Sequence, residues 1–186
     1  MAKQATLRVL LTIAARDGLT VQHIDVKTAY LYGDLDEQIF MKVPPGVSAK
    51  KNTVCKLVKS LYGLKQSARM WNRKINSVLR GLGFKPLGAD ACLYVRVSGG
   101  KSSYILLYVD DMLIASSSVQ EYSEIVKRLK TEFELTELGA AKHFLGIQLE
   151  RANSGYRLSQ KAYIWKLAEC FGLSDAKTSK IPMDTG

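Results

Sequence analysis

Hydrophobic residues recur with two different periods along this chain, and the period changes from one segment to the next. Residues 7–15 are mostly apolar and fit a helix that ends at residues 16–18, an Arg-Asp-Gly sequence whose glycine is typical of a helix C-terminus. Arg8 and the short length distinguish this segment from a signal sequence or a membrane span. Residues 21–26 alternate like a strand, and residues 39–43 form another before a Pro-Pro-Gly turn.

Three later segments have helical spacing. Residues 60–82 predict a long amphipathic helix with a basic side. Ser118 and Glu121 match a capping box, which opens a second helix. A third helix begins near Ser159. Its apolar side chains are expected to point inward, and they are Tyr163, Ile164, Leu167 and Phe171.

The remaining apolar segments predict antiparallel strands. Residues 92–97 and 104–115 flank a Ser-Gly-Gly-Lys turn, and residues 144–150 and 155–158 form a hairpin that turns at an Asn-Ser-Gly sequence. The order strand, helix, strand, strand, helix, strand predicts an α+β fold in which helices back an antiparallel sheet. In such a sheet the strand at 21–26 can lie beside the strands of 104–115.

Asp110 and Asp111 interrupt the apolar run 105–115, where an uncompensated charge is costly. The run reads as two buried strands that meet at a tight turn, with both carboxylates at its tip. An ordinary hairpin turn explains the first aspartate better than the second, because two-residue turns favour Asn-Gly or Asp-Gly with positive φ at both positions. A bound divalent cation would remove the repulsion between the two carboxylates.

Asp25 interrupts its strand in a similar way, and the predicted pairing brings it next to the hairpin. Three carboxylates from adjacent strands are a suitable ligand set for two Mg²⁺ ions that keep positions open for phosphate and water. An aspartate at a strand end that accepts hydrogen bonds from turn amides is an equally good explanation of Asp25 alone. His23 and His143 are isolated and are interpreted as structural or surface residues.

The composition limits the size of the fold and indicates the partner. The 186 residues, 47% hydrophobic, are enough for one core with an appendage. Lys and Arg number 27 against 17 Asp and Glu, and the net charge of +10 favours nucleic acid, with an anionic membrane surface second. Cys55, Cys92 and Cys170 are too dispersed for a zinc site or disulfides and are expected to be reduced core residues of an intracellular protein.

Residues 108–111, Tyr-Val-Asp-Asp, resemble the Tyr-x-Asp-Asp motif of reverse transcriptases. Three more segments, residues 25–30, 61–66 and 144–147, look like the copia-type branch of retrotransposon polymerases with long terminal repeats. The four segments occur in the order and spacing of that family across nearly the whole chain. The sequence is therefore identified as resembling the reverse transcriptase domain of a copia-type Pol polyprotein.

The resemblance implies a polymerase palm with a ferredoxin-like, RRM-like core. It implies an RNA-directed DNA polymerase that transfers a nucleotide from a dNTP to the 3′-hydroxyl of a primer on an RNA or DNA template, with no membrane partner. The implied cofactors are two Mg²⁺ ions, for which Mn²⁺ can substitute. Asp25, Asp110 and Asp111 match the catalytic, metal-binding aspartates of the family, and the backbone carbonyl of Val26 completes the ligand set.

The resemblance also assigns substrate contacts. Tyr30 matches the aromatic residue that collides with a 2′-hydroxyl, and it is the candidate steric gate. The other implied nucleotide-binding residues are Ala29, Tyr62 and Gly63. The implied nucleic-acid-binding residues are Lys65, Arg69, Tyr108, Phe144, Leu145 and Gly146. A solvated helix face explains the two basic residues equally well, and core packing explains Phe144 and Leu145 equally well.

The family pattern suggests two parts. Residues 1–150 are assigned to the palm with partial fingers, and residues 151–186 to the end of the primer-grip hairpin, the start of a thumb helix and a linker. Most of the fingers and thumb are expected to lie outside this sequence, so other Pol polyprotein segments are expected partners, in the cytoplasm within a retrotransposon particle or in the nucleus. Two alternatives are an inactive or domesticated remnant that binds nucleic acid or protein, and an unrelated RNA-binding α+β module.

Overall fold

The computed structural model describes residues 2–177. The chain folds as two compact units, Met1–Ala141 and Lys142–Gly186, which we call the N-terminal and C-terminal units. The family resemblance places the end of the palm later, at residue 150.

The helices and strands follow one another in a mixed order. The helices are α1 Gln4–Arg16, α2 Ser67–Gly81, α3 Val119–Leu129 and α4 Lys161–Cys170, and a 3₁₀ turn spans Ala29–Tyr32. The strands are β1 Thr20–Val26, β2 Phe40–Lys42, β3 Val54–Lys56, β4 Lys85–Leu87, β5 Asp90–Ser98, β6 Lys101–Tyr108, β7 Asp111–Ser116, β8 Leu135–Ala140, β9 His143–Phe144, β10 Ile147–Ala152 and β11 Gly155–Ser159.

Six strands of the N-terminal unit form one antiparallel sheet in the order β4-β5-β6-β7-β1-β8. The N-terminal unit contains the strand and helix order of the ferredoxin-like fold, and the elements concerned are β1, α2, β6, β7, α3 and β8. Strands β4 and β5 extend one edge, and β2 and β3 form a separate two-stranded sheet. The predicted α+β fold with an antiparallel sheet and helices is confirmed, as is the pairing of β1 with the hairpin strand β7.

The hydrophobic core of the N-terminal unit includes side chains from one face of the sheet and from α2 and α3. Ile24 and Val26 of β1 are buried there together with Ile75 of α2 and Ile125 of α3. Alternate residues of a strand point to opposite faces, so Asp25 is on the other face of the sheet. Helix α1 contacts β1, β6 and β7 and buries Leu7, Leu10, Leu11 and Ala14.

Local signals placed two helix ends correctly. Helix α1 ends at Arg16, and Gly18 has a φ of +66°, as a C-terminal glycine requires. Helix α3 is capped by Ser118, whose side chain accepts a hydrogen bond of 3.2 Å from the backbone N–H of Glu121. Both predictions are confirmed.

The predicted helix over residues 60–82 is wrong at its start, because α2 begins only at Ser67. Gly63 has a φ of +96°, which is incompatible with a continuous right-handed helix. The side chain of Ser67 instead donates a hydrogen bond back to the carbonyl of Leu61, which closes the turn that precedes the helix. The apolar period therefore extended beyond the helix into an irregular segment.

In the C-terminal unit, β9, β10 and β11 form a three-stranded sheet, and the predicted hairpin between β10 and β11 is confirmed. Helix α4 buries no residue, so the prediction that its apolar side chains point inward is wrong. The buried apolar residues of the described part of this unit are all in the sheet, and so small a unit cannot cover a helix as well. They are Phe144, Ile147 and Leu149.

The cysteines are not core residues, contrary to the sequence-based expectation. Cys55 and Cys92 are half-buried, Cys170 is exposed, and all three are free thiols. In residues 2–177 no helix combines the length and apolar character that a bilayer crossing needs.

Candidate active site

The register between β1 and β7 pairs Asp25 directly with Asp111. Directly opposed residues of an antiparallel pair project from the same face of the sheet, so these two carboxylates share one face. The backbone N–H of Val26 donates a hydrogen bond of 2.8 Å to the carbonyl of Asp110. The hairpin and the end of β1 therefore bring all three predicted aspartates to the same end of the sheet.

The turn of this hairpin differs from the sequence-based expectation. Strand β6 ends at Tyr108, which pairs with Asp111 at the start of β7, so the two loop residues are Val109 and Asp110. The expectation that both aspartates lie at the tip is therefore wrong, because Asp111 is already the first residue of β7. Of the two residues in this turn, only Val109 has a positive φ, at +55°. That pattern is typical of a type II′ turn, whose first central residue is usually glycine.

Trp71 is a site residue that the sequence analysis missed. Its indole Nε1 donates a hydrogen bond of 2.7 Å to the carbonyl of Val109. The helical period over residues 60–82 marks Trp71 only as one of the apolar residues of the predicted amphipathic helix. A buried tryptophan usually finds an acceptor for its N–H, and that requirement was the one available signal.

His23 is a second missed residue, and its interpretation as an isolated structural or surface residue is corrected. Its Nε2 lies 2.8 Å from Oδ1 of Asp111. His23 is two residues before Asp25, on the same face of β1, and this makes it the diagonal neighbour of Asp111 across the strand pair. Alternation along the strand could have placed His23 beside Asp25, but only the register shows its contact with Asp111.

The electrostatics of Asp25 reflect its acidic neighbours. Partial burial raises the pKa of its carboxyl, the negative charges of Asp110 and Asp111 raise it further, and His23 and Lys27 oppose them. Among the residues that the structure describes, no group of three or more His, Cys, Asp or Glu side chains has an arrangement that could hold a metal ion. The effect of Asp110 and Asp111 on the pKa of Asp25 shows that the carboxylates are close enough to repel one another. The Asp111 carboxylate is also hydrogen-bonded to His23.

The predicted nucleotide-binding residues form an aromatic pair near the carboxylates. Tyr30 is half-buried in the 3₁₀ turn after β1, and its ring centroid lies 4.6 Å from that of Tyr62 at an interplanar angle of 48°. Burial raises the pKa of the Tyr62 hydroxyl, and the charge of Asp110 raises it further. Ala29 is fully buried, and Gly63 has the positive φ that a turn residue requires.

The predicted nucleic-acid contacts are divided between the two units. Lys65 is exposed in the segment just before α2, Arg69 is exposed in the first turn of α2, and Tyr108 is half-exposed at the end of β6. In the C-terminal unit, Leu145 and Gly146 are the two-residue loop between β9 and β10, with φ values of +52° and +73°. Phe144 is buried, which agrees with the packing explanation of that residue.

The fold and the carboxylates together indicate a class of protein. An antiparallel α+β sheet with this strand order and with aspartates on two central strands is consistent with a polymerase-like domain. The chain belongs to the reverse transcriptase (RNA-dependent DNA polymerase) family, whose sequence profile matches residues 1–185. This membership excludes the unrelated RNA-binding module.

Individual relatives agree with the family. The chain is 39% identical, over 98% of its length, to a retrovirus-related Pol polyprotein from transposon TNT 1-94 of Nicotiana tabacum. It is 34% identical over 97% of its length to a retrovirus-related Pol polyprotein from transposon RE1 of Arabidopsis thaliana. It is also 34% identical over 86% of its length to a transposon Ty5-1 protein of Saccharomyces cerevisiae. The resemblance to the reverse transcriptase domain of copia-type Pol polyproteins is confirmed.

The chain is much shorter than most of these relatives. It spans 14% of the tobacco polyprotein, 12% of the Arabidopsis polyprotein and 53% of the yeast protein. The family match therefore covers only part of each relative, a stretch about as long as one domain.

Proposed function

We propose that this chain is the palm of an RNA-directed DNA polymerase, which extends a primer with dNTPs on an RNA or DNA template. The observation that carries the proposal is the register that sets Asp25 opposite Asp111 while Val26 binds the backbone of Asp110. Two strands and one turn thereby bring Asp25 next to Asp110 and Asp111, which lie far from it in the sequence. Family membership supports the same reaction.

The chemistry of the residues fits divalent cations. Carboxylate and carbonyl oxygens are the ligands that Mg²⁺ and Mn²⁺ accept, and the raised pKa of Asp25 reflects a repulsion that positive charge would relieve. Asp25, Asp110, Asp111 and the carbonyl of Val26 would hold the two cations, although the three carboxylates do not by themselves form a preformed three-ligand arrangement. When bound, these cations supply the positive charge that favours a deprotonated 3′-hydroxyl and neutralises a triphosphate.

The chain's own residues orient and select the substrates. The imidazole of His23 restrains one oxygen of Asp111 and so orients that carboxylate. Tyr30, whose ring contacts that of Tyr62, excludes a sugar that carries a 2′-hydroxyl. Gly63 lets the backbone before α2 approach the nucleotide closely.

The nucleic acid contacts are proposed for both units. Lys65 and Arg69 bind template or primer phosphates, which accounts for their exposure just before α2 and in its first turn. Tyr108 contacts the primer end, and the two-residue loop of Leu145 and Gly146, which follows the buried Phe144, grips the primer strand. Because the relatives named above are Pol polyproteins, other segments of such a polyprotein are the proposed protein partners.

The test is primer extension on a homopolymeric RNA template with Mg²⁺ or Mn²⁺. We expect Asp110→Asn to abolish extension, because it removes a carboxylate and leaves the side chain the same size. Asp17→Asn is the matched control, since Asp17 lies at the end of α1 in an exposed pair with Arg16, and it should extend like the wild type. A folded wild type that binds the primer-template without extending it would contradict the proposal and favour an inactive remnant.

A further inference from the structure

The hydrogen bond between Trp71 and Val109 connects the N-terminal half of α2 to the turn that carries Asp110. The indole N–H and the carbonyl are separated by 2.7 Å, and only 2% of the Trp71 surface is exposed. An indole nitrogen can only donate, and a buried indole N–H needs an acceptor, which here is the carbonyl of Val109. The carbonyl of Val109 is therefore held in one direction.

That direction determines the conformation of the turn. The Val109 carbonyl belongs to the peptide that joins the two loop residues. Two-residue hairpins favour two turn types, one with positive φ at the first loop residue and one with positive φ at both, and the types differ by a flip of this peptide. The structure has positive φ at Val109 and not at Asp110, so the hydrogen bond matches the first type. A flip would break this bond and redirect the side chain of Asp110.

Val109 has a backbone conformation that its own side chain disfavours. A β-branched residue with a φ of +55° is an outlier that persists only when its surroundings impose it. The first position of this turn type usually carries glycine, which has no such penalty. The local sequence therefore does not select the turn, and a contact from elsewhere in the fold has to do so.

Trp71 is itself fixed on three sides. Its ring lies edge-on to Phe133 at 5.2 Å and tilted against Tyr32 at 6.3 Å. Gly33 is packed against the backbone of α2, where an added Cβ would lie 2.8 Å from Cβ of Met70 and 3.0 Å from N of Trp71. The absence of a side chain at Gly33 permits this close approach. The donor thus comes from a rigid element.

We propose that Trp71 is a positioning residue that selects the turn conformation at Val109 and Asp110 and thereby directs the Asp110 carboxylate. Its effect on the turn follows from the contacts above, whereas its effect on catalysis rests on the proposed polymerase function. Trp71 does not touch substrate in this role and acts only through the hairpin.

The first experiment reads the turn without any activity. The chain has two tryptophans, so Trp165→Phe assigns the Trp71 indole resonance in a proton–nitrogen NMR spectrum. We expect the indole proton of Trp71 to exchange with solvent at least about 100-fold more slowly than that of the exposed Trp165. Trp71→Phe keeps an aromatic ring but has no donor. In this variant the three-bond coupling between the amide proton and Hα of Asp110 should change to the value expected for a positive φ. An unchanged φ would overturn the proposal.

The second experiment uses a double-mutant cycle in primer extension. We expect Trp71→Phe to lower kcat about tenfold while the KM for dNTP stays within about twofold, because substrate contacts remain. In a Val109→Gly background, glycine itself favours the turn, so adding Trp71→Phe should lower kcat by less than about twofold. Equal losses in both backgrounds would mean that Trp71 acts through packing alone and would overturn the proposal.

The two experiments separate this proposal from the proposed function. A wild type with no extension, but with a protected indole and a changed Asp110 φ in Trp71→Phe, would contradict the polymerase function and leave the selection of the turn established. A protected indole with unaltered kcat in Trp71→Phe would contradict the positioning role while the polymerase function stands.

Discussion

His23 and Asp111 are joined by a contact of 2.8 Å between Nε2 and Oδ1 across two neighbouring strands. The His23 side chain is 13% exposed and that of Asp111 is 37% exposed, so the acidic partner faces solvent while the imidazole is mostly enclosed. A carboxylate only accepts hydrogen bonds, so the imidazole is the donor. This leaves the other oxygen of Asp111 open to a further partner.

Removing this imidazole should weaken catalysis without unfolding the protein. We expect His23→Ala to lower the primer-extension rate about tenfold, because partners that orient metal-ligating carboxylates typically contribute that much. His23→Gln keeps a donor at the end of the side chain and should recover part of the loss. His143→Ala is the control, since His143 is an exposed residue of β9, and its rate should equal that of the wild type. If His23→Ala, His23→Gln and His143→Ala all had the same primer-extension rate, the orienting role of His23 would be contradicted.

Replacing Asp25 should stabilise the metal-free protein while it abolishes activity. The pKa of Asp25 is raised in the fold by burial and by its acidic neighbours, so the folded state binds this proton more readily than the unfolded chain. The stability gained from the protonated carboxyl is complete below the unfolded pKa of about 3.9, and it is lost as pH rises through the higher folded pKa. At neutral pH the charged carboxylate is therefore unfavourable.

The measurement is thermal unfolding in a chelator at two pH values. At pH 7 we expect Asp25→Asn to be more stable than the wild type by about 0.5 kcal/mol, which is about 1–2 °C in Tm. At pH 3.5 the gain should shrink towards zero, because the wild-type carboxyl is then mostly protonated. A gain that is larger at pH 3.5 than at pH 7 would show that the carboxylate is stabilised in the fold.

The aromatic pair Tyr30 and Tyr62 predicts sugar selectivity. We expect Tyr30→Val to raise the incorporation of ribonucleotides relative to deoxyribonucleotides by at least about tenfold, because it removes the bulk that meets the 2′-hydroxyl. Tyr30→Phe keeps the ring and should keep the selectivity. The ratio of kcat/KM for rNTP and dNTP checks this. If the phenylalanine variant lost selectivity as well, the Tyr30 hydroxyl and not its bulk would be responsible.

Gly33 should tolerate no side chain, because α2 lies too close. An added Cβ would be 2.8 Å from Cβ of Met70, so Gly33→Ala should destabilise the protein by about 1–3 kcal/mol. Gly81→Ala is the matched control within α2, where an added Cβ has no neighbour within 4 Å and alanine favours the helix. It should be neutral or stabilising by up to about 1 kcal/mol. Chemical denaturation of both variants measures the difference, and equal midpoints would contradict the close packing.

Sequence patterns correctly predicted those parts of the fold that depend on neighbouring residues. Alternation gave β1 its position, the Ser118 cap placed the start of α3, and the four ordered motifs identified the family. The apolar period failed at α2 and α4. The apolar period does not reveal that Gly63 has a positive φ. It also does not reveal that α4 belongs to a small unit with little apolar surface to pack against.

The sequence by itself determined the composition of the candidate site, three aspartates within recognisable motifs, and the antiparallel α+β class of the fold. Only the tertiary structure decided which groups meet there: the contact of His23 with Asp111 follows from strand register, and the hydrogen bond from Trp71 to Val109 follows from the packing of α2. Local propensity acts over a few neighbouring residues. Contacts between residues distant in the chain form only when strands pair and helices pack, and no local pattern encodes their distances.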